Sequence, residues 1–276
     1  MRYNIDTCSM LVEFRASVWT ARKLDKSTTD EVIKGKQAQD KGAARVNKNL
    51  LAGRKELEVI NKHVGAVRTY VYTNTLPWSD TGIRLLPSSR FFEFNKQMED
   101  FEHEFNDLVN DFVNVYPTLI TAQAMALGDM FNRDDFPSPS DVAHRFDFRL
   151  NYMPVPTAGD FRIDVGNDAE KELKQKLSKL ADERIDHAMR DVKTRLKEHL
   201  DRMSDRLGSD IVNKEIKTRK FHDSLLDTAH ELCDLVKALN ITNDQDLEGA
   251  RKALHQAISG VDLKELRTNM PVRNDV

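Results

Sequence analysis

Two runs of apolar residues with the spacing of a helix face flank a segment that contains two prolines and a glycine. The runs span residues 46–71 and 91–115, and the segment between them carries Pro77, Gly82 and Pro87. Steps of three and four residues place one narrow apolar seam along each of two helices. Proline and glycine prevent either helix from continuing through the segment. The seam residues are Val46, Leu50, Gly53, Leu57, Ile60, Val64, Val67 and Val71, followed by Phe91, Phe94, Met98, Phe101, Phe105, Leu108, Phe112 and Val115.

The simplest structure for this pattern is an antiparallel helical hairpin. We expect its helices over residues 44–72 and 89–115, with burial of the Phe-rich seam as the main source of stability. Pro117 fits the first position of a further helix over residues 118–131.

Three segments alternate between apolar and polar residues, which is typical of strands with one buried face. They are residues 10–18, 146–152 and 161–165. A proline- and glycine-containing turn joins the last two, so these predict a β-hairpin. An isolated hairpin is marginally stable, and we therefore expect residues 10–18 to join it as a third strand.

The C-terminal part of the chain predicts a second antiparallel helical hairpin. Its first helix spans residues 168–207, about 60 Å at the helical rise, and ends before Gly208. Its second helix spans residues 211–239, and a final helix follows over residues 244–259. Thr28 with Glu31, and Thr242 with Gln245, have the capping-box spacing that begins a helix. The predicted fold class is α+β, predominantly α, with two long antiparallel helical hairpins and a small antiparallel β-sheet, divided into domains 1–165 and 166–276.

Composition excludes several classes of protein. The formal net charge of −3 gives no overall attraction to nucleic acids or acidic membranes. The two cysteines, Cys8 and Cys233, have no metal-knuckle spacing, and a reducing compartment is the better fit. We expect a cytoplasmic protein with no signal peptide, no membrane span, no metal and no cofactor. No catalytic motif is present, so we predict that the chain is not an enzyme.

The segment between the two seams is the best candidate for a functional surface, because its large apolar side chains are costly to leave in water. Either they close the end of the hairpin, which the sequence favours, or they dock on another protein. The predicted partner-binding residues are Leu76, Trp78, Ile83, Arg84, Leu85 and Leu86.

Nucleic acid is the alternative partner. Residues up to Arg68 contain more Lys and Arg than acids. If this surface is uncovered, it could follow a phosphate backbone while an aromatic ring stacks on bases. The predicted nucleic-acid residues are Trp19, Arg22, Lys23, Arg54 and Lys55.

Four sequence blocks resemble an uncharacterised protein family of tailed phages and conjugative elements. They are W-T-A-R-K-L-D-K from Trp19, N-K-N-L-L-A-G from Asn47, T-L-P-W-S-D-T-G-I-R-L-L-P from Thr75 and V-P-T-A-G-D-F-R-I from Val155. The likeness covers roughly residues 10–165. Members of that family are encoded beside a MoxR-type AAA+ ATPase and a von Willebrand A-domain protein, and some lie near single-strand annealing and exonuclease genes. The family supplies no catalytic residues.

The resemblance implies a non-enzymatic interaction protein of a phage or mobile element. In this hypothesis it is an adaptor or recognition partner of an AAA+ ATPase/von Willebrand A-domain machine in the bacterial host cytoplasm. Long seamed helices also favour a homo-oligomer. The alternative hypothesis is an accessory protein that binds single-stranded DNA in recombination or replication.

Overall fold

The computed structural model describes residues 5–156, 167–212, 215–218, 221–222, 224–262 and 266–267. Helices account for 66% of the structure, and the strands form small antiparallel sheets. The predicted fold class, α+β and predominantly α, is therefore confirmed. Among the described residues, no helix is both long enough and apolar enough to cross a lipid bilayer.

The first half of the chain mixes short strands with two long helices. In order, its elements are α1 (Ile5–Cys8), β1 (Ser9–Ser17), β2 (Arg22–Leu24), α2 (Lys26–Gly35), β3 (Asn47–Asn49), α3 (Glu56–Asn74), β4 (Leu76–Pro77), β5 (Ile83–Pro87) and α4 (Phe91–Leu127). Short 3-10 helices occupy Ser88–Arg90, Gly128–Met130 and Arg133–Asp135.

The second half contains the longest helix of the described chain. Its elements are α5 (Pro139–Ala143), β6 (Asp147–Pro154), α6 (Asn167–Leu207), β7 (Ser209–Val212), β8 (Glu215–Thr218), α7 (Ser224–Leu239) and α8 (Gln245–Ile258). The prediction of a helix over residues 168–207 is confirmed almost to the residue by α6.

The main sheet has four strands in the order β4-β5-β1-β6. Strands β1 and β5 are antiparallel, with Leu11 opposite Leu85, and β4 pairs with β5 on its other side. The predicted strands at residues 10–18 and 146–152 are thus confirmed as β1 and β6, which are neighbours in the sheet. The predicted strand at residues 161–165 lies outside the described residues.

The predicted pairing of the two seams is confirmed where α3 faces α4. The ring of Tyr70 lies 5.4 Å from that of Phe101, and the ring of His63 lies 6.5 Å from that of Phe105. Farther along, the Gln123 amide donates to the carbonyl of Ala52. Residues nearer the C-terminal end of α3 thus contact residues nearer the N-terminal end of α4, as expected of antiparallel helices.

The start of the first seam helix was predicted wrongly. Helix α3 begins at Glu56 rather than near residue 44, and Asn47–Asn49 forms strand β3 instead. This strand pairs with Arg22–Leu24, so a partner distant in sequence determines its conformation. Gly53 then has a φ of 74°, a backbone conformation that glycine adopts without strain and that separates β3 from the helix.

The prediction of a helix boundary at Pro117 was also wrong, because α4 continues through this residue to Leu127. The flanking side chains explain why the helix persists: Tyr116 is fully buried, and Leu119 and Ile120 are also buried. Their burial outweighs the backbone hydrogen bond that proline cannot make. The buried side of α4 also includes Tyr116, whereas the predicted seam residue Val115 is exposed.

The second predicted hairpin needs one correction. Residues 209–212 and 215–218 form a two-stranded antiparallel ribbon, β7–β8, and the following helix begins at Ser224 rather than near residue 211. The β-branched residues Ile211, Val212 and Ile216 favour extended backbone over helix here. Helix α7 then packs against both α6 and α8.

Both predicted capping boxes were misplaced by a few residues. Asp25 caps α2 by accepting the N–H of Thr28 at 3.0 Å. Asp244 caps α8 by accepting the N–H groups of Asp246 and Leu247, each at 3.0 Å. An Asp carboxylate is a strong N-cap because it is short, charged and near the positive end of the helix dipole.

The described chain divides into two compact units, each assembled from separate stretches of sequence. Unit 1 contains residues 1–13, 71–94 and 151–276, and unit 2 contains residues 14–70 and 95–150. Each unit has its own apolar core: Trp78 and the buried faces of α6–α8 belong to the first, and Trp19 belongs to the second. The predicted domain boundary at residue 165 falls in 157–166, outside the described residues, and stays a prediction.

Candidate interaction site

The segment predicted to bind a partner folds into a tight strand–turn–strand structure in unit 1. Strands β4 and β5 flank a turn in which the N–H groups of Trp78 and Ser79 both donate to the carbonyl of Ile83. Gly82 has a φ of 91° at the turn, a left-handed conformation that a β-carbon would strain.

Most of the predicted partner-binding side chains are covered by the chain itself. Ile83 is partly buried, and the five other predicted side chains are buried: Leu76, Trp78, Arg84, Leu85 and Leu86. Trp78 joins the core of unit 1, with the guanidinium of Arg184 placed 5.4 Å from its ring centroid. This burial favours the interpretation in which the segment closes the end of the hairpin. The exposed part of the segment is the turn at residues 80–82.

Arg84 carries a buried charge that backbone groups satisfy. Its Nε donates to Thr75 Oγ1 at 2.6 Å, and its Nη2 donates to the carbonyls of Thr75 and Tyr72 at 3.0 and 3.3 Å. The guanidinium also lies over the Tyr72 ring, 4.4 Å from its centroid. Burial, together with repulsion by Arg195, lowers the pKa of Arg84 to about 10.

A second arginine reaches the same end of α3 from helix α6. Arg195 donates to the carbonyls of Thr73 and Thr75 at 2.8 and 3.1 Å, and pairs with Asp191 at 2.6 Å. The last carbonyls of a helix have no partners inside the helix and carry partial negative charge. Arg84 and Arg195 therefore act as a C-terminal cap that fastens α3 to β5 and α6.

An exposed aromatic cluster lies at the start of α4, also in unit 1. Phe92 is 83% exposed, and its ring centroid is 5.4 Å from that of Phe91. The Phe91 ring in turn contacts Tyr152 of β6 at 5.3 Å, and both of these residues are partly buried. We refer to Phe91, Phe92 and Tyr152 as the aromatic surface.

Sequence reasoning missed the aromatic surface, although one signal for it was present. Phe91 and Phe94 occupy the apolar seam, and Phe92 follows Phe91 by one residue, or about 100° around the helix. A phenylalanine at that angle cannot share the seam. Its exposure could therefore be expected from spacing, whereas its contact with Phe91 and Tyr152 depends on the position of β6.

The residues predicted to bind nucleic acid have different environments in unit 2. Trp19 is buried, with its ring edge-to-face against Tyr116 at 5.5 Å, so the ring is not free to stack on a base. Arg22 is exposed on β2, opposite Asn49. Lys23, on the same strand, pairs with Asp135. Arg54 is partly buried and Lys55 is exposed, both between β3 and α3.

A buried ion network, the Lys48 cluster, joins Lys48 to Asp25, Asp135 and Lys23. The Lys48 amine pairs with Asp135, lies 3.7 Å from Asp25 Oδ2 and donates to the carbonyl of Met130 at 2.9 Å. Lys23 pairs with Asp135 at 2.7 Å. The burial of Asp135 would raise its pKa, but hydrogen bonds from Lys23 and Lys48 outweigh burial and hold the pKa below its ordinary value.

These contacts link parts of unit 2 that are far apart in sequence, because Asp25 and Lys48 precede α3 whereas Met130 and Asp135 follow α4. A cleft of about 490 Å³ lies beside the Lys48 cluster. Three of the four cluster residues belong to the blocks that carry the family resemblance: Lys23 and Asp25 to the first, and Lys48 to the second. Those two blocks therefore encode a fold-stabilising contact in unit 2.

Across the part of the chain that the structure describes, no group of three or more His, Cys, Asp or Glu residues is arranged to hold a metal ion. The aromatic surface is the candidate interaction site, because clustered aromatic side chains with a ring exposed to solvent are typical anchors of protein contacts.

Comparisons with curated proteins and with solved structures found no match. A family model does match, over residues 7–218, which is more than half of the chain. The matched region includes the strand–turn–strand segment, the Lys48 cluster, the aromatic surface and helix α6. The chain therefore belongs to the family described as "Protein of unknown function (DUF3150)".

Proposed function

We propose that this chain is a non-enzymatic interaction protein of a phage or mobile element. It acts as an adaptor or recognition partner of an AAA+ ATPase/von Willebrand A-domain machine in the bacterial host cytoplasm. The resemblance described above supports the identity of the partner. The exposed aromatic surface supports the mode of action and is the observation on which the proposal depends.

Phe92 can contribute free energy to a contact with another protein. Moving a phenylalanine side chain from water into a protein contact contributes about 1.5–3 kcal/mol. Phe92 is 83% exposed in the chain by itself, so nearly all of that free energy is available to a partner. Phe91 and Tyr152 extend the apolar area around it. Clustered aromatic side chains of this kind are the usual anchors of protein interfaces.

The expected contact residues now differ from the partner-binding residues that were predicted from the sequence. The side chains of Trp78 and Leu85 are buried in the core of unit 1, and Leu86 is also buried, so these side chains can reach a partner only if the structure opens. Phe92 needs no such opening. We therefore propose that the partner contacts the aromatic surface. The strand–turn–strand segment, in this proposal, holds the start of α4 in position.

The test is a binding measurement with the neighbouring ATPase and A-domain proteins, each purified and titrated against this chain. We expect Phe92→Ser to weaken binding at least tenfold, because about 1.4 kcal/mol corresponds to a factor of ten. Met125→Ser is the matched control, since Met125 is 93% exposed on the same helix outside the aromatic surface. Neither substitution should change the urea midpoint appreciably.

Equal affinity of Phe92→Ser and wild type, or no binding to either protein, would overturn the adaptor proposal. Sedimentation of the same samples tests whether the aromatic surface mediates self-association instead, in which case Phe92→Ser converts an oligomer to monomers.

The single-stranded DNA alternative can be tested on the same preparations. It predicts a gel shift whose affinity falls steeply with salt. The shift should weaken with Arg22→Glu and Lys55→Glu, which alter exposed side chains. A gel shift with these properties would favour the single-stranded DNA hypothesis over the adaptor proposal.

A further inference from the structure

Two histidines meet across the contact between the C-terminal helices α7 and α8. The ring centroids of His230 and His255 lie 5.9 Å apart, with the ring planes at 81°. His230 is partly buried and His255 is exposed, so solvent ions can reach the pair. Next to the pair, the buried thiol of Cys233 lies 3.8 Å from the Arg251 carbonyl, which keeps the two helices in close contact.

The separation of the rings suits a shared metal ion. A zinc–imidazole bond of about 2.0–2.1 Å puts the ring centroid roughly 3.2 Å from the metal. Two imidazoles on one tetrahedral ion then have centroids roughly 5.2 Å apart, and a linear arrangement gives roughly 6.4 Å. The observed 5.9 Å lies between these limits. Because the rings meet edge to face, binding requires a ring rotation that turns a nitrogen of each histidine toward the ion, and the exposed His255 ring has room to rotate.

The surrounding charges also favour a cation. Asp227 and Asp234 lie about one turn on either side of His230 along α7, and both are exposed. Arg251 and Lys252, the Lys and Arg residues of α8, both contact the carboxylate of Glu248. Arg251 Nε and Nη2 donate to the two carboxylate oxygens of Glu248 at 2.8 and 2.7 Å. The Lys252 amine lies 3.7 Å from Oε1 of the same carboxylate.

We propose that His230 and His255 bind a borderline transition-metal ion such as Zn²⁺, Ni²⁺ or Cu²⁺, which bridges α7 and α8. Imidazole nitrogen is a good ligand for these metals and a poor one for Mg²⁺ or Ca²⁺. A two-histidine site leaves coordination positions open for water or for a side chain of another protein. Metal occupancy therefore strengthens the α7–α8 contact and leaves an accessible ligand position at its surface.

The experiment uses the full chain without an affinity tag, first freed of metals with a chelator. Thermal unfolding is followed at increasing Ni²⁺ or Zn²⁺, with Mg²⁺ as the hard-ion control. Since an ion that binds the folded state stabilises it by mass action, we expect the melting temperature to rise with Ni²⁺ and Zn²⁺ and not with Mg²⁺. The rise should disappear in His230→Asn and in His255→Asn and persist in His222→Asn, a matched change at an exposed histidine.

Spectroscopy provides a second measurement that does not depend on stability. The electron paramagnetic resonance spectrum of bound Cu²⁺ should show coupling to two nitrogens in wild type and to fewer in either single variant. No metal-dependent shift in melting temperature, or a shift and a two-nitrogen spectrum that survive both substitutions, would overturn the assignment.

Discussion

Arg84 shows how one residue can be charged and buried without a direct ion pair. Arg195 repels its charge, and Asp191, which pairs with Arg195, partly offsets that repulsion. The carbonyls at the end of α3 compensate, because a helix C-terminus carries roughly half a negative charge. The sequence revealed that Arg84 lies in an apolar segment. It could not reveal that the side chain turns inward, since its partners Tyr72 and Thr75 belong to a different element.

Replacement of Arg84 by methionine should destabilise the protein by about 2–4 kcal/mol. Methionine is of similar length but leaves Thr75 Oγ1 and the Tyr72 carbonyl without the Arg84 donor, whereas the Thr75 carbonyl keeps its bond from Arg195. Unsatisfied buried groups cost about 1–3 kcal/mol each. Urea unfolding measures the difference. Arg22→Met is the control, because Arg22 is exposed and its loss should change stability by no more than about 0.5 kcal/mol. Equal midpoints for the two variants would contradict the capping role of Arg84.

Tyr116 makes a prediction about alkaline pH. Its hydroxyl donates to the Pro137 carbonyl at 3.1 Å, and burial raises its pKa to about 12. The folded state therefore favours the neutral phenol. The stability that this provides is present below the ordinary pKa of about 10 and is lost as the pH rises from there through the folded pKa.

Tyr116→Phe should remove this pH dependence. At neutral pH we expect a cost of about 1 kcal/mol for the lost hydrogen bond. Between pH 10 and 12 the difference between wild type and variant should shrink, because wild type alone loses the contribution of Tyr116. Chemical unfolding of both proteins at several pH values checks the trend, and a constant difference would contradict it.

At the scale of elements, sequence patterns predicted the long helices better than the short strands. The 168–207 prediction succeeded because an uninterrupted seam and Gly208 define a helix locally. The predictions of helix over residues 44–55, 211–212 and 215–218 failed because β2–β3 and β7–β8 pairing replaces helix there. Such pairing depends on partners elsewhere in the chain, so apolar spacing alone does not encode it.

Helix α4 offers a test of how tertiary burial overrides a local helix breaker. Pro117 is exposed within the helix and cannot donate to the carbonyl of Val113. Pro117→Ala should restore that hydrogen bond and stabilise the protein by about 1–3 kcal/mol. Urea unfolding measures the gain in the free energy of unfolding. Thr118→Ala is the control, because it introduces alanine at the neighbouring exposed position without restoring a backbone hydrogen bond. A loss of stability in Pro117→Ala would show that α4 depends on a proline-induced bend.

At the scale of the whole molecule, four elements contribute residues to both compact units. Strand β1, helices α3 and α4, and strand β6 each contain the boundary between the units. Independent unfolding of either unit would break these elements in their interiors, which exposes backbone hydrogen bonds and apolar side chains. We therefore expect the units to unfold together.

The two tryptophans make that expectation measurable, because each reports on one core. Trp19 belongs to the core of unit 2 and Trp78 to that of unit 1. Trp19→Phe leaves a reporter in unit 1, and Trp78→Phe leaves a reporter in unit 2. In each variant the urea midpoint from fluorescence should equal that from circular dichroism. A fluorescence transition separate from the loss of helix would show that the units unfold independently.

The candidate site was only partly predictable at this scale. The sequence pointed to the segment between the seams, and the structure places that segment beside the start of α4, within the same unit. The rings at the surface, however, belong to Phe92 and Tyr152, which lie 60 residues apart in sequence. Local periodicity cannot reveal a surface formed by residues distant in sequence, whereas it does reveal an apolar segment bounded by prolines.

The interrupted order of the units has a consequence for synthesis on the ribosome. Every residue of unit 2 has been made once residue 150 is added, whereas unit 1 still lacks helices α6, α7 and α8. Since domains fold during translation when their residues become available, unit 2 can form early. The apolar side chains of Trp78 and Leu85, which share a core with these helices, are meanwhile uncovered. During that interval they form a natural target for a chaperone.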